Sequence, residues 1–191
     1  MKICVLGTGS WGTALAQVLA DNKQEVIMWG IDLREVEDIE VNHHNTKFFE
    51  TEINHDIHAS TDLSVVADAD VVLAAVPTMA LEEVLTKASQ HLTKPAIIIN
   101  VAKGFHPVTH ERLSVVISKI VPIEKCAAIV SLIGPSHAEE VIQRLMTSVN
   151  AVSDNEEAAK TVQHLFSNQY FRVYRNSDVI GAEIGVAIKN V

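Results

Sequence analysis

Apolar residues along this chain come in short continuous runs separated by longer stretches with helical spacing. Residues 3–6, 25–29, 71–76, 96–101, 126–132, 148–152 and 170–174 read as β-strands, with 55–60 as a weaker one. Continuous rather than alternating apolarity suits strands covered on both faces, as in parallel sheets. Between them, residues 11–21, 33–43, 79–91, 108–120, 136–145 and 156–166 carry the apolar spacing of helices. Asp62, Asp154 before Glu156, and Thr109 before Glu111 stand where helix starts are capped. Repeated strand–helix alternation predicts an α/β fold, a doubly wound and mostly parallel sheet with helices on both faces. Residues 178–191 are apolar and helical in pattern, with no stop signal.

A length of 191 residues suits one domain, or one domain and the start of another, and supports a single core without staples. Two cysteines, Cys4 and Cys126, make no disulfide framework and point to a reducing compartment. The 15 basic residues are outnumbered by 24 acidic ones and form no basic run. That argues against nucleic-acid or anionic-membrane binding. No apolar run approaches a membrane span, and after Met1-Lys2 a run of only four apolar residues precedes Gly7, too short for a signal peptide. A cytoplasmic location is the expectation.

Gly7-Thr8-Gly9-Ser10-Trp11-Gly12 follows the first strand and opens the first helix. In a Gly-x-Gly-x-x-Gly loop the first glycine permits a tight turn and the second lets backbone approach a pyrophosphate. The third lets helix pack on strand. The helix N-terminus adds free N–H groups and partial positive charge. NAD or NADP is the cofactor this predicts, and residues 1–176 are assigned to a dinucleotide-binding domain. Asp32 lies 20 residues past Gly12, where an acid could take the adenosine ribose, but it also precedes Leu33-Arg34-Glu35 and reads more readily as a helix cap. Arg34 reads as a 2′-phosphate contact or, slightly preferred, a surface charge.

Three further segments carry chemistry. Lys103, in Asn100-Val101-Ala102-Lys103-Gly104, stands at the carboxyl end of a strand, the edge where open α/β sheets bind ligands. It is either a cation aimed at the crevice or an ordinary loop lysine. Gly134-Pro135-Ser136-His137-Ala138 repeats the construction one strand later, with a plain helix cap as its structural alternative; His137 reads as a general acid or, preferred, a structural histidine. Gly181, Gly185 and Lys189 follow at i, i+4 and i+8, a bare helical strip beside one ammonium. Tight helix–sheet packing is the alternative there. His43, His44, His55 and His58 read as solvated, and no metal is expected.

With these segments in order, the chain resembles the N-terminal part of NAD(P)-dependent glycerol-3-phosphate dehydrogenases. Beyond the glycine loop, the resemblance rests on Met28-Trp29-Gly30, Val76-Pro77, Ala102-Lys103-Gly104, Ile133-Gly134-Pro135-Ser136-His137-Ala138-Glu139-Glu140, Phe171-Arg172-Val173-Tyr174 and Glu183-Ile184-Gly185-Val186-Ala187-Ile188-Lys189-Asn190-Val191. It implies a Rossmann-type fold and interconversion of dihydroxyacetone phosphate and sn-glycerol 3-phosphate, feeding glycerophospholipid synthesis. By the same resemblance, Gly7, Gly9, Ser10, Trp11, Gly12, Lys103 and Ala138 would bind cofactor. Lys103, Gly134, Ser136 and Lys189 would hold the phosphorylated triose, with Lys189 as catalytic acid–base. Residues 177–191 would begin a helix leading into a C-terminal helical substrate domain absent from this chain, which would then be inactive alone. A homodimer is the assembly to test. Ile31 stands where many relatives carry Arg or His, His137 where Phe is common, and Val186 where Gly is frequent. The alternative readings are a β-hydroxyacid dehydrogenase and a non-catalytic dinucleotide sensor, which would have no need of both Lys103 and Lys189.

Overall fold

The computed structural model describes residues 1–188. Among them the chain forms an eight-stranded sheet: β1 (Lys2–Leu6), β2 (Glu25–Trp29), β3 (Ile57–Ser60), β4 (Val71–Ala74), β5 (Ala96–Asn100), β6 (Cys126–Ile133), β7 (Thr147–Val152) and β8 (Phe171–Asn176). The order is β3-β2-β1-β4-β5-β6-β7-β8. Every pairing is parallel except β6–β7, where Leu132 faces Ala151 in antiparallel register. Each apolar run is a strand, the weak one included. β4 is buried throughout and β1 from Ile3 to Leu6, as sheets covered on both faces require.

The helices are α1 (Ser10–Asp21), α2 (Leu33–Glu37), α3 (Thr78–His91), α4 (Leu113–Ile120), α5 (Ala138–Ile142), α6 (Glu156–Phe166) and α7 (Val179–Ile188). They bury two cores, one on each sheet face. Ile3, Val5, Leu15, Leu19 and Phe166 lie in one. Cys4, Leu6, Leu81, Leu85 and Ile117 lie in the other. Burial pushes the Cys4 thiol up to about 12, so it packs as an inert small apolar group.

Three helices are shorter than the pattern predicts. The segment from Leu33 runs as α2 only to Glu37, then widens into one π turn over Asp38–Asn42 and stops at left-handed His43. The stretch before α4 is a looped hairpin: Phe105 bridges Arg112, and the Thr109 N–H donates to the His106 ring at 3.1 Å, so Thr109 caps nothing. Around α5, Pro135 and Ser136 remain outside the helix, and left-handed Arg144 ends it. The predicted Asp62 cap is present, accepting from the Ser64 N–H at 2.9 Å. For α6 the cap is Asn155 rather than Asp154, accepting from the Ala158 N–H at 3.0 Å. These local competitions between side chain and backbone are invisible to an apolar period.

Candidate functional site

The chain winds outward from β1 through β2 to β3, then returns to place β4 on the other side of β1. That reversal makes a crevice at the carboxyl ends of β1 and β4, the general location for ligands in such sheets. The glycine loop sits there. Gly7 has φ of +116°, and a Cβ on it would lie 2.6 Å from the Ala75 carbonyl oxygen just past β4. Gly12 is equally close-packed from the helix side, its Cβ position 2.5 Å from Gly7 O. Gly9 alone of the three faces open space, with nothing within 4 Å. It is the N-cap of α1 and carries no side chain to satisfy the first helical N–H groups. Ser10 and Trp11 open that helix, Trp11 also packing against the core. A 12-residue helix with a bare N-terminus beside an unobstructed glycine is a fit for a dinucleotide pyrophosphate.

The loop is braced from outside by residues that the sequence reading passed over. Thr8 Oγ1 donates to Glu35 Oε2 at 2.5 Å, and Lys47 pairs with the other Glu35 oxygen. Buried Asn45 donates to Thr8 O and Thr13 Oγ1, each at 2.8 Å. No sequence motif marks Asn45, which follows a π turn and reaches the loop only through the fold. Asp32 caps α2, accepting from the Arg34 N–H at 3.0 Å; that hydrogen bond holds its carboxyl below the usual range. The cap reading of Asp32 therefore holds. The Arg34 side chain is 90% exposed, and its Nε lies 3.6 Å from Asp32.

A second cavity, of 320 Å³, opens at the carboxyl end of β6 and against α7. Lys103, Gly134, Gly181 and Gly185 line it together, with Asn150 and Asn176 contributed by β7 and β8. The fold thus gathers three segments that are 31 to 82 residues apart in sequence. Lys103 is exposed at the start of its loop, and its carbonyl accepts from Thr78 Oγ1 at 3.3 Å. Gly134 is needed for close packing on β7: a Cβ there would lie 2.8 Å from Val149 Cγ1. The two α7 glycines differ. The Asp178 carboxylate, which caps α7 by accepting from the Gly181 N–H at 2.8 Å, fills the space beside Gly181, whereas the space beside Gly185 is open.

Ser136 and Ala138 lie outside this cavity lining. Ser136 is buried, its hydroxyl 3.5 Å from Gly134 O, and Ala138 is packed in the core as the first residue of α5. His137 is exposed and extended, and makes no side-chain cap. Lys189 lies outside the described residues. Of the histidines, His43 and His55 stack at 4.2 Å, His55 pairs with Glu52 and His58 with Glu40. No helix among the described residues is long and apolar enough to cross a membrane.

Buried Glu183, on α7, is the largest omission of the sequence reading. Its oxygens accept four hydrogen bonds, from Arg112, from Ser114 through both N–H and hydroxyl, and from Ser131. The signal was available: Glu183 is the one charged residue in the apolar run of α7.

The family model described as NAD-dependent glycerol-3-phosphate dehydrogenase N-terminus matches residues 2–159. A glycerol-3-phosphate dehydrogenase [NAD(P)+] of Streptococcus uberis is 48% identical over all of this chain and 57% of its own length. One of Enterococcus faecalis is 47% identical over the whole chain and 56% of its own length. The crystal structure of glycerol-3-phosphate dehydrogenase from Coxiella burnetii superposes with a TM-score of 0.91 at 30% identity, over 99% of this chain and 57% of that one. This chain accordingly spans little more than half the length of those relatives. With the glycine loop, the strand order and these likenesses in agreement, the chain belongs to the family of NAD-dependent glycerol-3-phosphate dehydrogenase N-termini.

Proposed function

We propose that this chain is the cofactor-binding part of an oxidoreductase that interconverts dihydroxyacetone phosphate and sn-glycerol 3-phosphate, in the service of glycerophospholipid synthesis. The observation that carries the reading is the pairing of two sites at one sheet edge: an open glycine-loop crevice, and a 320 Å³ cavity bringing Lys103 and Gly134 against α7. Gly7, Gly9, Ser10, Trp11 and Gly12 would hold the pyrophosphate of NAD or NADP. Ala138 would meet the cofactor through its backbone, and Lys103 both cofactor and substrate. The nicotinamide, when bound, supplies or accepts the hydride.

In this reading Gly134, Ser136, Lys103 and Lys189 hold the phosphorylated triose. Lys189 donates a proton to the ketone oxygen as it turns into an alkoxide, and its ammonium stabilises that charge. A second ammonium nearby at Lys103 would ease proton release from either lysine.

Residues 177–191 are read as leading into a C-terminal helical domain that completes the pocket. The outward face of α7 suits this: Ile180, Ile184 and Ile188 are exposed, while Glu183 and Ala187 face inward. The deciding experiment is reduction of dihydroxyacetone phosphate, followed through NADH or NADPH absorbance, by a protein carrying this chain with such a domain. Absence of turnover with tight nucleotide binding would return the chain to the sensor reading. A homodimer is tested by sedimentation of the same protein.

A further inference from the structure

The loop that begins at Lys103 and helix α7, which precedes Lys189 in sequence, are tied together through one buried carboxylate. Gly104 turns the loop with φ of +101°, Phe105 and Arg112 bridge as an antiparallel pair, and the His106 N–H donates to Glu111 O at 2.9 Å. Arg112 therefore closes the hairpin that Lys103 opens. Its Nη1 donates to Glu183 Oε2 at 3.1 Å, across 71 residues of sequence. Ser114 Oγ donates to the same oxygen at 2.7 Å. Oε1 accepts from the Ser114 N–H at 3.2 Å and from Ser131 Oγ at 2.9 Å. Each carboxylate oxygen thus receives two donors, from the start of α4 and from β6. Glu183 and Ser131 are buried.

A buried charge with this many partners is directional. Rotating or sliding α7 would break several bonds at once and strand the carboxylate away from water. Stability alone does not explain the choice, because apolar residues can fill such a space as well or better. What the arrangement adds is a common reference point for two segments that line the same cavity, Lys103 on one and Gly181 and Gly185 on the other.

We propose that Glu183 is a positioning residue: through Arg112 and Ser114 it holds the Lys103 loop and α7 in one fixed relation, and so sets the alignment of the two segments that line the cavity for hydride and proton transfer. This rests on the dehydrogenase reading above. Small misalignments of reacting groups cost up to about a hundredfold in rate.

The test uses Glu183→Gln, Arg112→Met and the double variant in a protein carrying this chain and its C-terminal domain. Each single substitution should lower kcat about tenfold to a hundredfold. The Kd for NADH, titrated by fluorescence, should change less than about threefold, because the glycine loop does not touch the network, and the number of NADH sites should stay at one per chain. The double variant should lose no more than the worse single one, as expected for residues acting as a unit. It removes both charges together, so it stays folded even where Arg112→Met, which leaves the carboxylate unpaired, does not.

Hydrogen exchange on the chain itself supplies a readout independent of turnover. Glu183→Gln should raise exchange in both residues 179–188 and residues 104–112. Full kcat in Glu183→Gln, additive losses in the double variant, or a fall in NADH site number that matches the fall in kcat each overturns the proposal. Exchange rising in α7 alone overturns it too, whatever the activity. If the unsubstituted protein reduces no dihydroxyacetone phosphate while both segments still loosen together, the dehydrogenase reading falls and the coupling stands.

Discussion

Gly12 stands so close over Gly7 that a Cβ on Gly12 would lie 2.5 Å from the Gly7 carbonyl oxygen, while a Cβ on Gly9 between them would meet nothing within 4 Å. Two glycines of the loop are therefore kept by the protein's own packing, and Gly9 is the one with room for a ligand. Gly9→Val should leave the circular dichroism spectrum unchanged and weaken NADH binding at least about a hundredfold, or ~2.7 kcal/mol, in calorimetry. Gly12→Val should instead destabilise the fold, by about 1–3 kcal/mol or more, from overpacking. Undiminished affinity in Gly9→Val would move the pyrophosphate elsewhere.

Cofactor choice should be weakly marked. Ile31 is exposed and offers no charge, Asp32 is engaged in capping, and Glu35 is held by Thr8 and Lys47. Arg34 lies just past β2, its Nε 3.6 Å from Asp32 and its side chain 90% exposed, so it is the cation placed to swing toward a 2′-phosphate. Direct titration with NADH and NADPH should give affinities within about a hundredfold of each other, or ~2.7 kcal/mol. A larger preference for NADPH that disappears in Arg34→Ala would assign the 2′-phosphate contact to that side chain.

Lys189 is tested by removal. In a protein that carries this chain with a C-terminal helical domain of the kind proposed, Lys189→Ala should retain nucleotide binding and lose turnover. An ammonium matters most as the ketone oxygen becomes negative. Loss of one preorganised donor costs about 10²–10³ in rate, and loss of the proton donor costs about 10²–10⁴, without simple multiplication. Lys189→Arg should not rescue, because guanidinium stays protonated. A kcat above about a tenth of the unsubstituted value, with chemistry rate-limiting, would redirect the search to Lys103 or His137.

Asp21 gives the fold an acid-sensitive joint. Burial pushes its carboxyl up, but hydrogen bonds from Arg144, Asn54 and Tyr170 outweigh burial and hold it below the usual range. Arg144 grips it through Nε at 2.8 Å and Nη2 at 3.1 Å, and Tyr170 OH donates at 2.8 Å. The charged form is the one the folded state favours. Its contribution is therefore complete above the unfolded carboxyl value of about 4 and fades as pH falls through the lower folded value. At pH 7, Asp21→Asn should cost about 1–2 kcal/mol, allowing for solvent around half-exposed Arg144. In paired thermal melts that gap should narrow progressively as pH falls below about 4. A gap that persists in acid would show that shape, not charge, makes the joint.

Much of this molecule was legible in its residue pattern. The apolar runs at residues 3–6 and 71–76 supply β1 and β4, the second strand ending at Ala74, because a sheet with helices on both faces has no solvent side to alternate toward. The three glycines of the first loop declared their roles through spacing, since each role depends on the absence of a side chain. Helix ends were harder. Thr109 looked like a cap, yet it bonds to His106, and the chain before α4 folds back on itself instead. Such outcomes depend on which polar partner is nearest in space.

The sequence by itself determined the fold class, the place of the glycine loop and the segments that supply Lys103, Gly134 and the α7 glycines. These follow from covalent spacing and from side-chain volume, which are properties of the chain. The tertiary structure alone decided which groups meet: Asn45 bracing Thr8, Asp178 filling the space beside Gly181, and Glu183 turned inward while Ile180 and Ile184 face out. A helix with this composition would, by apolarity alone, bury its isoleucines. It buries its carboxylate because four donors from α4 and β6 converge at one point, and that convergence exists only after strands distant in sequence have paired.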